Sequence, residues 1–417
     1  MQMIPNTHIY TKIINYCLFF SLFFLLCTKN FTVGVVIVLL ITSLIYIAKN
    51  YKVITITKID MLVITILSGY FIASLPIYIK DMDSTRYFKG SIRYVCFIPI
   101  YFFLKNEIQL PNISRKYLDL GIFIGSVGTI TLAIYQHYIL NIERVVGYLY
   151  SINFGYLACS LAFLSLALSK DSHFKLLLLL SFIFDTYATI LTQTRGATFA
   201  IPILLILVAF FYKKDNQIKR IFYCTVSIVL FTSIIYVISP NFKERIHFTV
   251  NEFTNIYRGD ITESVSSGVR LDLWYSAIQS FKESPLIGQS FKKREEMLST
   301  LYKEKKIGPL AVGIKRAHAH NQYFEMLASY GILGIFAFIL LLFFPLFFFL
   351  KRIYQTNYAL TGFILVSGFV LFCMTEVPLE QNLISTYYGL MLVILIVFTN
   401  LDIKNNRIMQ NSSNHSD

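Results

Sequence analysis

The stretch "HNQYFEMLASYGILGIFAFILLLFFPLFFFLKR", His320 to Arg352, decides the fold class. Between Ala328 and Leu350 it carries no charged residue, and a helix needs only about 20 apolar residues to cross a bilayer. Lys351 and Arg352 stop the run at one end. At the other end it meets a polar seam, Arg316–Asn321, where His318 and His320 stand one residue apart. The reading is a membrane helix with a basic stop on one side and a histidine pair on the other.

The rest of the chain repeats that chemistry. Its 417 residues are 56% hydrophobic and 14% charged, whereas soluble domains carry about 25% charged residues. An all-α integral membrane protein is expected. Twelve candidate spans are counted: 12–28, 32–48, 61–79, 90–104, 118–140, 148–169, 174–193, 197–212, 221–239, 328–350, 358–375 and 381–400. With the N-terminus in the cytoplasm, the cytoplasmic connections hold 17 Lys and Arg and the short outer ones 7. That is the bias the positive-inside rule requires, and it puts both termini in the cytoplasm. The net charge of +14 is then topology and implies no nucleic-acid partner. The six cysteines lie in apolar runs without a C-x-x-C, so neither a disulfide framework nor a metal site is expected from them. The N-terminal apolar run has no clear small-x-small cleavage site and reads as a retained helix.

Four regions follow: spans one to nine over 1–239, an outer loop over 240–321, the last three spans over 322–400, and a cytoplasmic tail over 401–417. The tail's "QNSSNHSD" reads as disordered. The outer loop holds the remaining 13 basic residues, and long segments translocate regardless of charge. Within it, "GVRLDLWYSAIQSFKESPLIG" (Gly268–Gly288) places Leu271, Trp274, Tyr275, Ile278 and Phe281 at helical spacing. Pro285 and Gly288 end that pattern. The loop is expected to be a small, mostly helical cap.

Four groups of residues do not belong to generic membrane packing. Arg195, in "TQTRGATFAIP", is the one charge in the link between two spans, with no acid beside it in sequence. It is either an arginine snorkelling to the interface or a functional cation at membrane depth. Arg270 opens the amphipathic helix of the loop, where a guanidinium beside a helix N-terminus can bind an anion. Its alternative is a neighbour of Asp272 on a solvated face. Arg144 in "NIERVVG" and Lys80, Arg86, Lys89 and Arg93 in "KDMDSTRYFKGSIR" lie in or beside outer connections. Asp81 and Asp83 form a D-x-D that could hold a metal on a phosphate or simply make a turn. Their basic neighbours favour an anion-binding patch. His318 and His320 admit three readings: a metal site, which lacks further ligands in sequence; a bland interfacial pair; or a catalytic base. If a helix starts near Asn321, its positive end disfavours an imidazolium at His320 and leaves the neutral ring a general base requires. Gly331 and Gly334, down the same helical face, would permit close helix packing in the membrane.

"TQTRGA", "GVRLDLWYSAIQSFKESPLIG" and "HNQYFEMLASYGILGI", in that order, resemble the O-antigen ligase and polymerase superfamily of bacterial envelope enzymes. That family shows a T-x-[ST]-R-[GA] link between two spans, then an R-x-x-x-W helix followed by P-[LIF]-x-G. A large loop follows, ending in H-N before a helix with G-x-x-G. "LTQTRGAT" with "HAHN" looks most like the ligases that join O-antigen to lipid A–core. The resemblance implies a GT-C-like membrane glycosyltransferase in the bacterial inner membrane, with its site facing the periplasm. It implies metal-independent, inverting transfer without a cofactor. The implied donor is a polysaccharide on undecaprenyl pyrophosphate, and the implied acceptor a sugar hydroxyl of lipid A–core. It maps the catalytic histidine onto His320 and the functional arginines onto Arg195 and Arg270, with Arg144 a looser match. Lys80, Arg86, Arg93 and His318 enter as substrate-binding candidates outside the motifs. An O-antigen polymerase of the same superfamily remains open. So does a twelve-span transporter, for which Asp185 in "FIFDTYATI" would be the proton-coupling acid. Against the transporter, the two halves show no repeat.

Overall fold

The computed structural model describes residues 7–52, 54–82, 84–108, 111–238, 240–258 and 266–413. The described residues form helices and no strand. Along the first half these are α1 (Thr7–Phe23), α2 (Phe31–Asn50), α3 (Lys58–Asp81), α4 (Tyr87–Val95), α5 (Phe97–Glu107), α6 (Pro111–Ile134), α7 (Ser151–Leu168), α8 (Lys175–Leu191) and α9 (Arg195–Phe211). Then come α10 (Gln217–Ile238), α11 (Pro240–Arg258), α12 (Ser267–Glu283), α13 (Phe291–Lys303), α14 (Pro309–Val312), α15 (Gln322–Phe338), α16 (Phe344–Leu350), α17 (Asn357–Phe372) and α18 (Asn382–Ser413).

Seven helical stretches among the described residues are long and apolar enough to cross a membrane unaided, Gln322–Leu350 among them. Three shorter apolar helices, Ile9–Phe23, Arg195–Phe211 and Asn357–Phe372, add to these. Every expected span has a helical counterpart, the fourth divided between α4 and α5. α7 and the apolar part of α18, residues 383–399, are buried almost throughout and form the centre of the bundle, as expected of helices apolar on all faces. α10 shows the opposite: Phe222, Tyr223, Val229, Leu230 and Ile234 all face outward. A large exposed apolar surface marks contact with another apolar phase, here lipid. α18 continues to Ser413, so the tail is helical further than expected. Beyond the apolar run it contains no proline or glycine to stop it. Residues 414–417 lie outside the described part.

The connections sort to two ends. At one end, Lys105 bonds Asp60 at 2.6 Å and Asn357 donates to Ala167 O. Asp60 also closes a capping box with Thr57 at the start of α3. Lys351, Arg352, Lys404 and Arg407 line an open groove of about 530 Å³ there. At the other end, the links after α3, α6, α8 and α17 meet the loop that carries α11 to α14. Tyr87 at the start of α4 stacks on Phe291 of α13 at 4.7 Å and accepts its backbone N–H.

The loop docks through a break in α15. Gly331 has φ 61° and ψ −146°, a region open essentially to glycine alone. The break frees backbone groups, and the turn after α12 takes them up. Ile332 N donates to Pro285 O at 2.8 Å, while Ala328 O accepts from Gln289 N at 2.8 Å. A Cβ on Gly331 would stand 2.4 Å from Pro285 O. The expectation that Gly331 seats helix against helix is therefore corrected: it admits the Pro285–Gly288 turn into a helix break.

Candidate active site

Asn321 caps α15. Its side chain accepts from Tyr323 N at 2.9 Å and Phe324 N at 3.4 Å, and it donates to Met374 O at 2.9 Å. His320 therefore stands just before the helix start, as the sequence predicts, with a left-handed backbone at φ 46°. Such a conformation in a non-glycine residue persists only where its surroundings hold it. Here Ala319 is pinned from both sides: its N–H donates to Glu325 Oε2 at 2.9 Å, and its carbonyl accepts from Trp274 Nε1 at 3.0 Å. Trp274 in turn stacks on Phe324.

The group facing the histidines is Glu376, in the turn between α17 and α18. His320 Nδ1 lies 2.9 Å from Glu376 Oε2, and His318 Nε2 lies 3.6 Å from Oε1. The two rings meet edge to face at 4.7 Å. Burial works to raise the Glu376 carboxyl, but the His320 bond, both histidines and the Val377 N–H together hold it below the usual carboxylate range. Burial lowers His318, against the pull of Glu325 and Glu376. An ionised Glu376 accepts from Nδ1–H of His320. That fixes the tautomer and leaves Nε2 with a free lone pair.

A buried bridge lies behind this pair. Arg294, 1% exposed, contacts both Glu325 oxygens at 2.5 and 3.0 Å and donates to Ala317 O at 2.5 Å. It ties α13 to α15 and to the strand of chain that leads into the histidines.

The arginines form a second cluster. Arg195 donates to Glu252 Oε2 and to Ser266 Oγ, each at 2.6 Å. The expectation that Arg195 has no acid near it is corrected, because α11 folds back and supplies one. Glu252 also accepts from the Ser266 and Ser267 N–H groups that start α12. Burial pushes Glu252 up, and Arg195 with these donors outweighs it, so the carboxyl lies below its ordinary value. Arg144 donates to Thr192 O at 3.3 Å. Burial lowers Arg144, as does the Arg195 charge nearby. Arg245 joins them, packed on the Phe248 ring that also carries Arg195. Its buried Nε has no hydrogen-bond partner among the described residues. Arg270 is half-buried on α12 and within electrostatic reach of Tyr156. Tyr156 bonds Thr375, next to Glu376, at 2.7 Å. No hydrogen bond or ion pair engages the Arg270 guanidinium among the described residues.

The remaining candidates divide. Arg93 donates to Glu380 O and Ser385 Oγ, both at 3.1 Å, so it braces the turn that carries Glu376. Lys80 and Arg86 are exposed at the α3–α4 link, with Arg86 within electrostatic reach of Glu380. Asp81 accepts from the Tyr87 hydroxyl at 2.5 Å, which accounts for it structurally; Asp83 lies outside the described residues. Asp185, deep in α8, accepts from Ser126 Oγ at 2.7 Å.

The family model described as O-antigen ligase matches residues 177–339. An O-antigen ligase of Escherichia coli is 26% identical over 282 residues, 68% of this chain and 60% of that protein. Over that region the chain is similar to the O-antigen ligase superfamily. It is accordingly a multi-pass bacterial membrane protein. A Haemophilus influenzae protein described as uncharacterized is 25% identical over 411 residues, 95% of this chain and all of that one. The matched region runs from α8 to the end of α15. It contains Arg195, Arg270, His318 and His320 and stops short of Glu376.

Sequence reasoning missed Glu376 as the histidines' partner, and it missed Arg294, Glu325, Glu252 and Arg245. Glu376 had a faint signal, as an acid beside the last turn at the histidine end. Arg294 had none, because "FKKREEM" reads as a solvated charged face.

Proposed function

We propose that the chain is an O-antigen ligase, which transfers polysaccharide from undecaprenyl pyrophosphate to a sugar hydroxyl of lipid A–core. The bacterial inner membrane would hold it, with both termini cytoplasmic and the 240–321 loop periplasmic. The observation that carries the proposal is the His320–Glu376 contact at 2.9 Å, at a helix start.

In this reading the acceptor hydroxyl gives its proton to His320 Nε2 as its oxygen attacks the anomeric carbon. The bond to the pyrophosphate oxygen breaks, with inversion, and the lipid pyrophosphate leaves. Glu376 holds the ring and stabilises the imidazolium, the part a carboxylate plays in other base–carboxylate pairs. General-base help is worth roughly 10²–10⁴ in rate. Arg270 meets the charge that develops on the leaving group; its planar fork suits phosphate oxygens. Arg195 already holds an anion, so the donor reaches it by displacing Glu252, with Arg144 and Arg245 adding positive charge behind. No metal takes part in the transfer. His318 lies where the acceptor approaches. Lys80 and Arg86, being exposed, would meet the acceptor's anionic groups at the rim.

The test is the lipopolysaccharide profile of a strain lacking the gene, complemented with wild type or His320→Ala. The ligase reading expects bare core and carrier-linked polymer in the null strain, and rescue by wild type alone. Core bearing a single repeat unit in the null strain would identify a polymerase instead.

A further inference from the structure

We propose that His318, His320 and Glu376 also form a site for one divalent transition-metal ion, and that filling it switches the chain off. One ligand atom from each residue lies within 4.8 Å of the others. The two nitrogen-to-carboxylate distances are 2.9 and 3.6 Å. Zinc bonds of about 2.0–2.2 Å in a tetrahedron put ligand atoms roughly 3.3–3.5 Å apart, so small side-chain shifts complete the site. Two imidazoles and a carboxylate are an ordinary zinc set that leaves one position open. The third ligand was invisible in sequence, because Glu376 lies 56 residues from His320.

The site is built before any ion arrives. Glu325 and Trp274 pin Ala319 between the two histidines. Val377 N–H donates to the Glu376 carboxylate at 3.0 Å, and Gln322 N–H donates to the Glu376 carbonyl at 3.1 Å. Ligands held by their surroundings bind a metal without first being ordered.

The consequence for His320 follows from proton accounting. The ion takes Nδ1, and the single N–H proton of the ring moves from there through solvent to Nε2. The ring stays neutral, with its one proton now on Nε2. No lone pair is left to accept the proton of a sugar hydroxyl. The inhibitory half of the proposal rests on the general-base reading above; the binding half does not.

The experiment uses the full-length protein in detergent, stripped with chelator and dialysed against Zn²⁺, with metal counted by mass spectrometry. Co²⁺ in its place reports the ligand set by visible absorption. One ion per chain is expected. Affinity should fall about tenfold or more in His318→Ala and in the isosteric Glu376→Gln, and should be unchanged in His173→Ala, an exposed histidine elsewhere. Equal affinity in all four proteins, or no stoichiometric binding by wild type, overturns the site. In the same preparation, stoichiometric Zn²⁺ should stop glycosyl transfer and chelator should restore it. Transfer that persists with the site filled overturns the inhibition. A preparation that binds Zn²⁺ but never transfers refutes the ligase reading and leaves the metal site standing.

Discussion

Two arginine–glutamate pairs hold the loop on the bundle, and they are built differently. Arg294 and Glu325 are 1% and 3% exposed, joined through both carboxylate oxygens, and enclosed by Ser329 and the Ala317 carbonyl. Arg195 and Glu252 are 16% and 4% exposed and share a single contact, with serines completing the set. The first pair can be exchanged for nothing else, since neither partner can reach water. The second leaves its arginine partly exposed, so in the proposed mechanism another anion can compete for it. One pair is scaffold for the histidines, and in the proposed mechanism the other holds the place of a phosphate.

The largest effect should come from the buried pair. Arg294→Met leaves the Glu325 carboxylate buried without a counter-ion and should cost about 3–5 kcal/mol, read as loss of folded protein in a detergent melt. Adding Glu325→Gln should recover most of that loss; if it does not, the bridge is not what holds the loop. Next comes the docking turn. Gly331→Ala forces a side chain into a glycine-only conformation and toward Pro285 O, at about 1–3 kcal/mol. The same melt checks it, and an unchanged midpoint would mean the helix break is not needed.

The open pair should respond weakly. Glu252→Gln should cost no more than about 1 kcal/mol while tightening binding of a lipid pyrophosphate, measured by competition with the donor. Weaker binding would make Glu252 part of the donor site and end the contrast. The smallest effect is a pH response. Glu252 is held below its ordinary 4.5 in the folded chain, so the unfolded chain binds the proton more readily. Its contribution is complete above pH 4.5 and is lost as pH falls below that through the lower folded value. Amide exchange at the start of α12 should speed up in that acid window in wild type and be flat in Glu252→Gln.

The contrast also explains what was legible. Membrane helices announce themselves because lipid demands long uncharged runs, and an Asn cap beside a histidine marks a helix start locally. The helix start just after His320 and the helices of the loop could therefore be read directly. Partnerships made across the fold could not. Glu252 and Glu376 each meet their partner from another element more than fifty residues away. Arg294 looked like solvent-exposed charge because its neighbours Lys292, Lys293, Glu295 and Glu296 are charged; only the fold turns it inward. Gly331 matched a membrane packing motif, yet its role depends on a turn some forty residues earlier.

The central claim is that Glu376 orients His320 as the base for glycosyl transfer. The most direct measurement is transfer of polysaccharide from undecaprenyl pyrophosphate to lipid A–core by purified wild type and His320→Ala, both shown to be folded by their melts. The account predicts a loss of roughly 10²–10⁴-fold in the variant with donor binding retained. Transfer by His320→Ala at the wild-type rate would contradict it.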